Sequence, residues 1–221
     1  MAAGLPRSVL SRRDPRPEGE RDRGLDERDV DPDPIGQFHR WFADAKAADE
    51  PQPEAMALAT ATPGAAPSVR YVLLRGLDER GFVFYTNERS RKGQELIANP
   101  CASLAFRWWI LERQVRVEGT TAVVDPGESD AYFATRPRGA QLGAWASAQS
   151  EALDSRVDLE NSLETVTARF AGRDVSRPPW WGGFRVEPSA VEFWQGRPDR
   201  LHDRLRYTRD GAGWGIRRLS P

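Results

Sequence analysis

Beyond residue 54 the apolar positions recur every second residue in short stretches, each closed by a turn signal. Residues 55–61 and 68–74 are two such stretches, separated by Thr62-Pro-Gly-Ala-Ala-Pro67. Residues 81–86 form a third, after a turn at Leu77-Asp-Glu-Arg80. Two longer strands are expected at 102–109 and 113–124, and three or four more over 183–186, 190–194, 201–209 and 214–219. Many short strands adjacent in sequence, with few helices between them, imply a mostly antiparallel sheet closed into a barrel. The fold class is mainly β with α (α+β), with helices packed outside the barrel.

The helices are placed by their caps. Asp33-Pro34 opens an amphipathic helix to about Asp49, with Ile35, Phe38, Trp41, Phe42 and Ala45 on one face. His39 lies on this helix and reads as a surface or packing residue. Ser90 caps a helix over 91–98, which ends before Asn99-Pro100. Asp125-Pro126 opens another to about Ala134, and Arg136-Pro-Arg-Gly139 breaks it. A short helix at 140–146 and a longer one at 154–170 follow. The longer one has an apolar stripe of Val157, Leu163, Val166 and Phe170. Residues 1–33 are rich in Arg, Asp, Glu, Gly and Pro and cannot bury enough apolar surface to offset their ordering entropy. They are expected to be a disordered tail before a single domain over 34–221.

Composition removes several function classes. The 32 basic and 33 acidic residues of this 221-residue chain leave a formal charge of -1, which argues against a nucleic-acid binder. One cysteine permits no intrachain disulfide, and with only two histidines it leaves no basis for a Cys/His zinc site, so no metal is expected. Cys101 sits in the run Cys101-Ala-Ser-Leu-Ala-Phe106 and reads as a small core residue. No apolar run is long enough to span a membrane, and no secretory core is visible, so a cytoplasmic setting without a membrane partner is expected. The glycine patterns of Rossmann and P-loop nucleotide sites are missing.

Four basic clusters carry the functional signal. Arg200, His202 and Arg204 stand at i, i+2 and i+4, so an extended backbone would point all three to one face, close after Trp194. Such a row suits a planar, anionic small molecule, although surface arginines on an edge strand explain it equally well. Arg70 and Arg75 are five apart and would project to opposite faces of one strand. Ser90-Arg-Lys-Gly93 at a helix start offers a hydroxyl, free N–H groups and two cations to a phosphate, although Ser-Arg-Lys is also common on surfaces. Tyr132 and Arg136, at i and i+4, share a helix face and can hold a second anion. Gln114, Gln141, Gln149, Ser150 and Trp145 add neutral hydrogen-bonding and stacking groups of the kind a flavin ring needs, although glutamines are more often simple surface residues.

Taken in order, Arg70-Tyr-Val-Leu-Leu-Arg75, Phe84-Tyr-Thr-Asn87, Ser90-Arg-Lys92, Leu111-Glu-Arg-Gln114, Arg136-Pro-Arg138, Gln141-Leu-Gly-Ala-Trp-Ala-Ser147, Gln149-Ser150, Trp181-Gly-Gly-Phe184, Glu192-Phe-Trp-Gln-Gly196 and Arg200-Leu-His-Asp-Arg204 resemble the pyridoxine/pyridoxamine 5'-phosphate oxidase family. The resemblance runs from about Pro34 to Pro221. It implies an FMN-binding split β-barrel working as a homodimer, with a C-terminal dimerisation region. It implies that Arg70, Tyr85, Thr86, Arg91 and Lys92 hold the FMN phosphate end, and that Gln114, Gln149, Ser150, Trp194 and Arg204 line the rest of the flavin. Arg75, Tyr132 and Arg136 would take the substrate phosphate, with Arg200 and His202 over the substrate ring as the catalytic pair. The implied reaction oxidises the 4' carbon of pyridoxamine or pyridoxine 5'-phosphate, with oxygen as acceptor and hydrogen peroxide as product.

Three features depart from the family pattern. Position 75 is Arg where Lys is usual, position 140 is Ala where a Ser is common, and no tyrosine precedes Tyr71. All three touch the substrate side. The rival readings are a related FMN oxidase acting on a secondary-metabolite intermediate of the phenazine type, a deazaflavin-using reductase, and a non-catalytic flavin or pyridoxal phosphate binding protein.

Overall fold

The structure is a computed structural model that describes residues 24–221. Its elements, in order, are α1 (Pro34–Ala47), β1 (Ala55–Ala61), β2 (Pro67–Leu73), β3 (Gly76–Asp78), β4 (Gly81–Asn87), α2 (Arg91–Ala98), β5 (Cys101–Trp108), β6 (Arg113–Val123), α3 (Pro126–Thr135), α4 (Arg138–Ala146), α5 (Arg156–Arg169), β7 (Trp181–Gln195), a 3-10 turn (Pro198–Arg200), β8 (Asp203–Asp210) and β9 (Gly213–Arg218). The strands form a sheet of order β2-β1-β5-β6-β7-β4-β3, with β8 pairing with β7 and β9. Of the 1–33 tail expected from composition, residues 1–23 lie outside the described residues.

The chain divides into two compact units, one of residues 54–105 and 117–190, the other of 106–116, 191–221 and the described residues up to Pro53. In the first, β1 and β2 form an antiparallel pair from Ala55↔Leu73 to Ala61↔Pro67. β4 pairs with β7, with Tyr85 opposite Gly183 and Thr86 opposite Gly182. Phe84 and Phe184 stack across that pair at 5.9 Å. Beside the sheet, α3, α4 and the end of α5 enclose a second apolar cluster of Phe133, Leu142, Phe170, Val175 and Trp181. In the other unit, α1 begins where Asp33 accepts a hydrogen bond from the Ile35 amide and Pro34 fills the first turn. Its buried face brings Phe38 to 4.9 Å from Phe106, and Trp41 to 5.1 Å from Phe193. The last ten residues before this helix are held: Leu25 is buried, its amide donates to Asp203, and Tyr207 donates to the Asp31 carbonyl.

The structure corrects several expectations. Residues 183–186 and 190–194 belong to one strand, although Pro188 interrupts the ladder donors. Two glycines admit the backbone there: a Cβ at Gly81 or Gly119 would lie 2.0 Å from the Val186 or Glu187 carbonyl oxygen. The expected turn at 77–80 instead contains the start of a hairpin, since Gly76–Asp78 is a strand paired with β4. Cys101 is exposed, because the alternation of β5 turns Ala102, Leu104, Phe106 and Trp108 inward. The stripe on α5 is mostly solvated, with Val157 58% and Leu163 39% exposed; Phe170, just past its end, is the buried member.

Candidate functional site

A cavity of about 840 Å³ opens in the unit built on β1–β4. Strand β4 supplies Tyr85, Thr86 and Asn87, α2 supplies Lys92, and α3 and the residues after it supply Tyr132, Thr135 and Arg136. Arg75, Ala140, Gln149 and Trp181 complete this part of the lining. The sequence placed seven of these residues at a phosphate or flavin site, and the fold brings all seven to one cavity: Arg75, Tyr85, Thr86, Lys92, Tyr132, Arg136 and Gln149.

The cations of this cavity are unusual in what they lack. Lys92 is buried, yet among the described residues its ammonium donates only to two hydroxyls, Thr86 Oγ1 at 3.2 Å and Ser90 Oγ at 3.1 Å. Burial, and then the charge of Arg70, push it down to about 8. Arg136 caps the end of α3 and lies over the face of Trp181 at 4.6 Å. Its Nη1 is buried and has no hydrogen-bond partner among the described residues. Burial, joined by the nearby charge of Arg75, lowers its pKa. Buried guanidinium and ammonium groups without carboxylates are costly unless an anion meets them. Tyr85, Tyr132 and Trp181 form a parallel aromatic ladder beside them, with Tyr85 and Tyr132 centroids 4.1 Å apart and planes 14° apart.

Helix α2 repeats the signal. Its first turn holds Arg91 and Lys92 and no acid. Cations there oppose the helix dipole, whereas an anion would be favoured by it. Ser90 caps the helix, its Oγ accepting from the Gly93 amide. Such a donor set fits a phosphate-bearing ring compound such as FMN.

Arg70 and Arg91 behave differently from Lys92. Arg70 does not line the cavity; its guanidinium donates to Thr60, Ser68 and Glu95. Arg91 donates to the other oxygen of Glu95 at 2.9 Å. Arg70 and Arg75 were expected on opposite faces of one strand, but β2 ends at Leu73 and Arg75 follows it, its amide donating to Val83. Ser150 is exposed and adopts a left-handed backbone, φ 78°.

The other expected residues, Gln114, Trp194, Arg200, His202 and Arg204, belong to the second unit. Arg200, His202 and Arg204 do not share one strand face. Pro198–Arg200 is a 3-10 turn with Asp199 and Arg200 at positive φ, and β8 starts only at Asp203. The turn rotates the chain out of the period-two geometry that the spacing suggested. Arg200 is exposed. The His202 ring lies 4.5 Å from that of Trp194, and its Nδ1 accepts from the Arg197 amide. Arg204 is bound to the buried Glu192 at 2.9 Å. Gln114 is half-buried on β6.

Two neighbours of the site had no role assigned from sequence. Glu95 is announced only by its i, i+4 spacing from Arg91, a spacing common on any helix surface. Trp181, in the Trp181-Gly-Gly-Phe184 motif, is revealed as the platform under Arg136 only by the fold. Gln141 and Trp145, read as possible ring-binding groups, bond to backbone carbonyls of Phe133 and Ser176. Among the described residues no cluster of His, Cys, Asp and Glu is arranged to hold a metal, and no helix is long and apolar enough to cross a membrane.

Comparison with known proteins agrees with this geometry. Residues 43–170 match the pyridoxamine 5'-phosphate oxidase family model, and residues 181–221 match the pyridoxine 5'-phosphate oxidase C-terminal dimerisation region. A pyridoxine/pyridoxamine 5'-phosphate oxidase of Rubrobacter xylanophilus is 61% identical, covering 90% of this chain and 91% of the relative. The protein of that name from Paraburkholderia phymatum is 59% identical, covering 89% and 93%. Among solved structures, PhzG from Burkholderia lata in complex with tetrahydrophenazine-1-carboxylic acid superposes with a TM-score of 0.84 at 36% identity, covering 89% of this chain and 98% of that one. A pyridoxamine 5'-phosphate oxidase-related, FMN binding protein from Nostoc punctiforme shares the fold, with a TM-score of 0.66 at 18% identity and coverage of 84% and 96%. With its split-barrel sheet, its cationic cavity and these relatives, the chain belongs to the pyridoxamine 5'-phosphate oxidase family.

Proposed function

We propose that this protein is an FMN-dependent oxidase that converts pyridoxamine or pyridoxine 5'-phosphate to pyridoxal 5'-phosphate. The amine consumes oxygen and water and yields the aldehyde, ammonia and hydrogen peroxide; the alcohol consumes oxygen and yields the aldehyde and hydrogen peroxide. The observation that carries the reading is Arg136, whose buried Nη1 has no hydrogen-bond partner among the described residues, lining the same cavity as Tyr132, Arg75 and Lys92. That cavity needs an anion for its electrostatics to close.

The flavin supplies the acceptor for the two electrons of the substrate. The protein's own residues place and charge-match the two phosphate-bearing molecules. Arg70, Tyr85, Thr86, Arg91 and Lys92 are assigned to the FMN phosphate end, and Gln114, Gln149, Ser150, Trp194 and Arg204 to the rest of the flavin. Arg75, Tyr132 and Arg136 are assigned to the substrate phosphate. Arg200 and His202 are assigned to the substrate ring, where they orient it and stabilise charge rather than act as a strong base. The assignment includes a homodimer, supported by the matched dimerisation region, and a cytoplasmic setting.

The phenazine-type alternative is the weaker one, since relatives at 56–61% identity carry the vitamin-oxidase name and PhzG stands at 36%. The deciding test is an aerobic assay of the FMN-loaded protein with pyridoxamine 5'-phosphate, following aldehyde and hydrogen peroxide together. Equal formation of both is the expected result. A yellow protein that makes neither would exclude the vitamin substrate.

A further inference from the structure

Glu95 is a buried carboxylate, 5% exposed, in a setting that no apolar packing demand explains. One oxygen accepts from Thr60 Oγ1 and Ser68 Oγ, both at 2.5 Å, and from Arg70 Nη2 at 3.3 Å. The other accepts from Arg91 Nε at 2.9 Å. Burial alone would raise its pKa, but the hydrogen bonds from Ser68, Thr60 and Arg91 outweigh it and hold the group down to about 2. The hydroxyls are engaged on both sides, because Arg70 also donates to Thr60 Oγ1 and to Ser68 Oγ, each at 2.5 Å. Strands β1 and β2 and helix α2 are thus tied at one ionised group.

We propose that Glu95 is a positioning residue for the phosphate cradle, fixing the guanidinium groups of Arg70 and Arg91 beside Lys92. The inference rests on the reading of Arg70, Arg91 and Lys92 as the flavin-phosphate cradle. Arg91 and Lys92 at the start of α2 and Arg70 on β2 repel one another, and long side chains lose substantial rotamer entropy when fixed. A buried carboxylate between two of them removes the repulsion and spends that entropy before the ligand arrives. Lys92, bonded among the described residues only to hydroxyls, is left to meet the anion. Without the carboxylate, Arg70 and Arg91 lose their fixed geometry, and the uncompensated charge of Arg70 disfavours the ammonium of Lys92 still further.

Flavin-stripped protein titrated separately with FMN and with riboflavin tests the idea, because the two ligands differ only in the phosphate. The native chain is expected to prefer FMN by at least about a hundredfold, the scale of two charge-assisted hydrogen bonds. Glu95→Gln is expected to lose about tenfold or more of FMN affinity while riboflavin affinity changes less than about twofold. Ser68→Ala leaves the carboxylate in place and removes one of its donors, and is expected to lose a smaller share of the FMN preference; it decides the matter if Glu95→Gln does not fold. An unchanged FMN preference in a folded Glu95→Gln protein, or in Ser68→Ala where that stands in, overturns the positioning role. Equal loss of both ligands makes Glu95 a structural residue only and overturns it as well. A native chain that does not distinguish FMN from riboflavin overturns the cradle reading itself, and with it this inference.

Discussion

Basic side chains in the β1–β4 unit fall into two groups that differ in partners. Arg185 is buried and bonds Asp78 at 2.7 Å and Glu128 at 3.1 Å, and Arg70 and Arg91 share Glu95. Arg75, Lys92 and Arg136, all at the cavity, have no carboxylate partner among the described residues. The first group is satisfied by the chain itself and fixes strands and helices in place. In the second, Lys92 and Arg136 carry charge that the fold has partly desolvated without compensating, while Arg75 stands exposed at the same cavity. Charge neutralised within the fold reads as scaffold, either of the fold itself, as at Arg185, or of the proposed phosphate cradle, as at Arg70 and Arg91; charge left open in a cavity reads as direct recognition.

The largest effect should separate the two groups by the property affected. Arg185→Met leaves Asp78 and Glu128 with only the more exposed Arg80, at 2.5 and 4.0 Å, as their common cation. Loss of one member of a buried pair typically costs 3–5 kcal/mol, and the partial exposure of both acids lets water recover some of it, so about 2–3 kcal/mol is expected. Chemical denaturation measures it, and the KM for pyridoxamine 5'-phosphate should stay unchanged. A large KM change with native stability would dissolve the distinction. Arg136→Met should do the reverse. One charge-assisted hydrogen bond to phosphate is worth roughly 1.5–3 kcal/mol, so KM should rise about 10- to 150-fold. The kcat should move far less, since the phosphate is held alike in ground and transition states. Stability should hold or improve, because a desolvated cation has been removed.

Lys92 sharpens the comparison through pH. Its ammonium titrates near 8 in the free protein because burial disfavours the charged form. Only the charged form attracts phosphate, so FMN affinity should be full near pH 7, roughly one unit below the lysine pKa, and fall as pH rises through 8 to 9. Binding an anion raises the pKa of the bound lysine, so the fall should approach tenfold per pH unit at its steepest. Riboflavin affinity should show no such fall. Below pH 6 the FMN phosphate itself takes up a proton, which sets a maximum near neutrality. A flat profile from pH 7 to 9 would remove Lys92 from the anion site. In Lys92→Met the slope should vanish while the residual affinity stays flat.

What was legible in the sequence follows the same division. Strand alternation and capping residues are local signals, so β1, β4, α1 and α2 lie close to where the residue pattern puts them. Motif residues such as Tyr132 and Arg136 converge because their order along the chain is that of a known fold. Two things were hidden. The long strand β7 depends on Gly81 and Gly119 lying against its backbone, a contact between distant segments that no local pattern carries. The row Arg200, His202, Arg204 looked extended because period-two spacing cannot register two positive-φ residues at 199 and 200. Partnership is likewise non-local: Arg70 and Arg75 look equivalent in sequence, yet one is bound to a buried acid and the other is open.

The smallest expected effect probes the open group at its weakest point. Ala140 lines the cavity with Arg75, Tyr132 and Arg136, and contributes no donor there. Of the nearby hydroxyls, Thr135 Oγ1 is already committed to the Tyr132 carbonyl at 2.8 Å. Ala140→Ser places a hydroxyl on the first turn of α4 without changing the backbone, at a position that is only half-buried. If the substrate phosphate sits among these cations, the new donor should contribute about 1 kcal/mol, a fivefold fall in KM. The kcat and the FMN affinity should be unaltered, which distinguishes this end of the cavity from the one around Lys92. A drop in FMN affinity instead would mean that the flavin phosphate occupies the Arg136 end, and the two phosphate assignments would have to be exchanged.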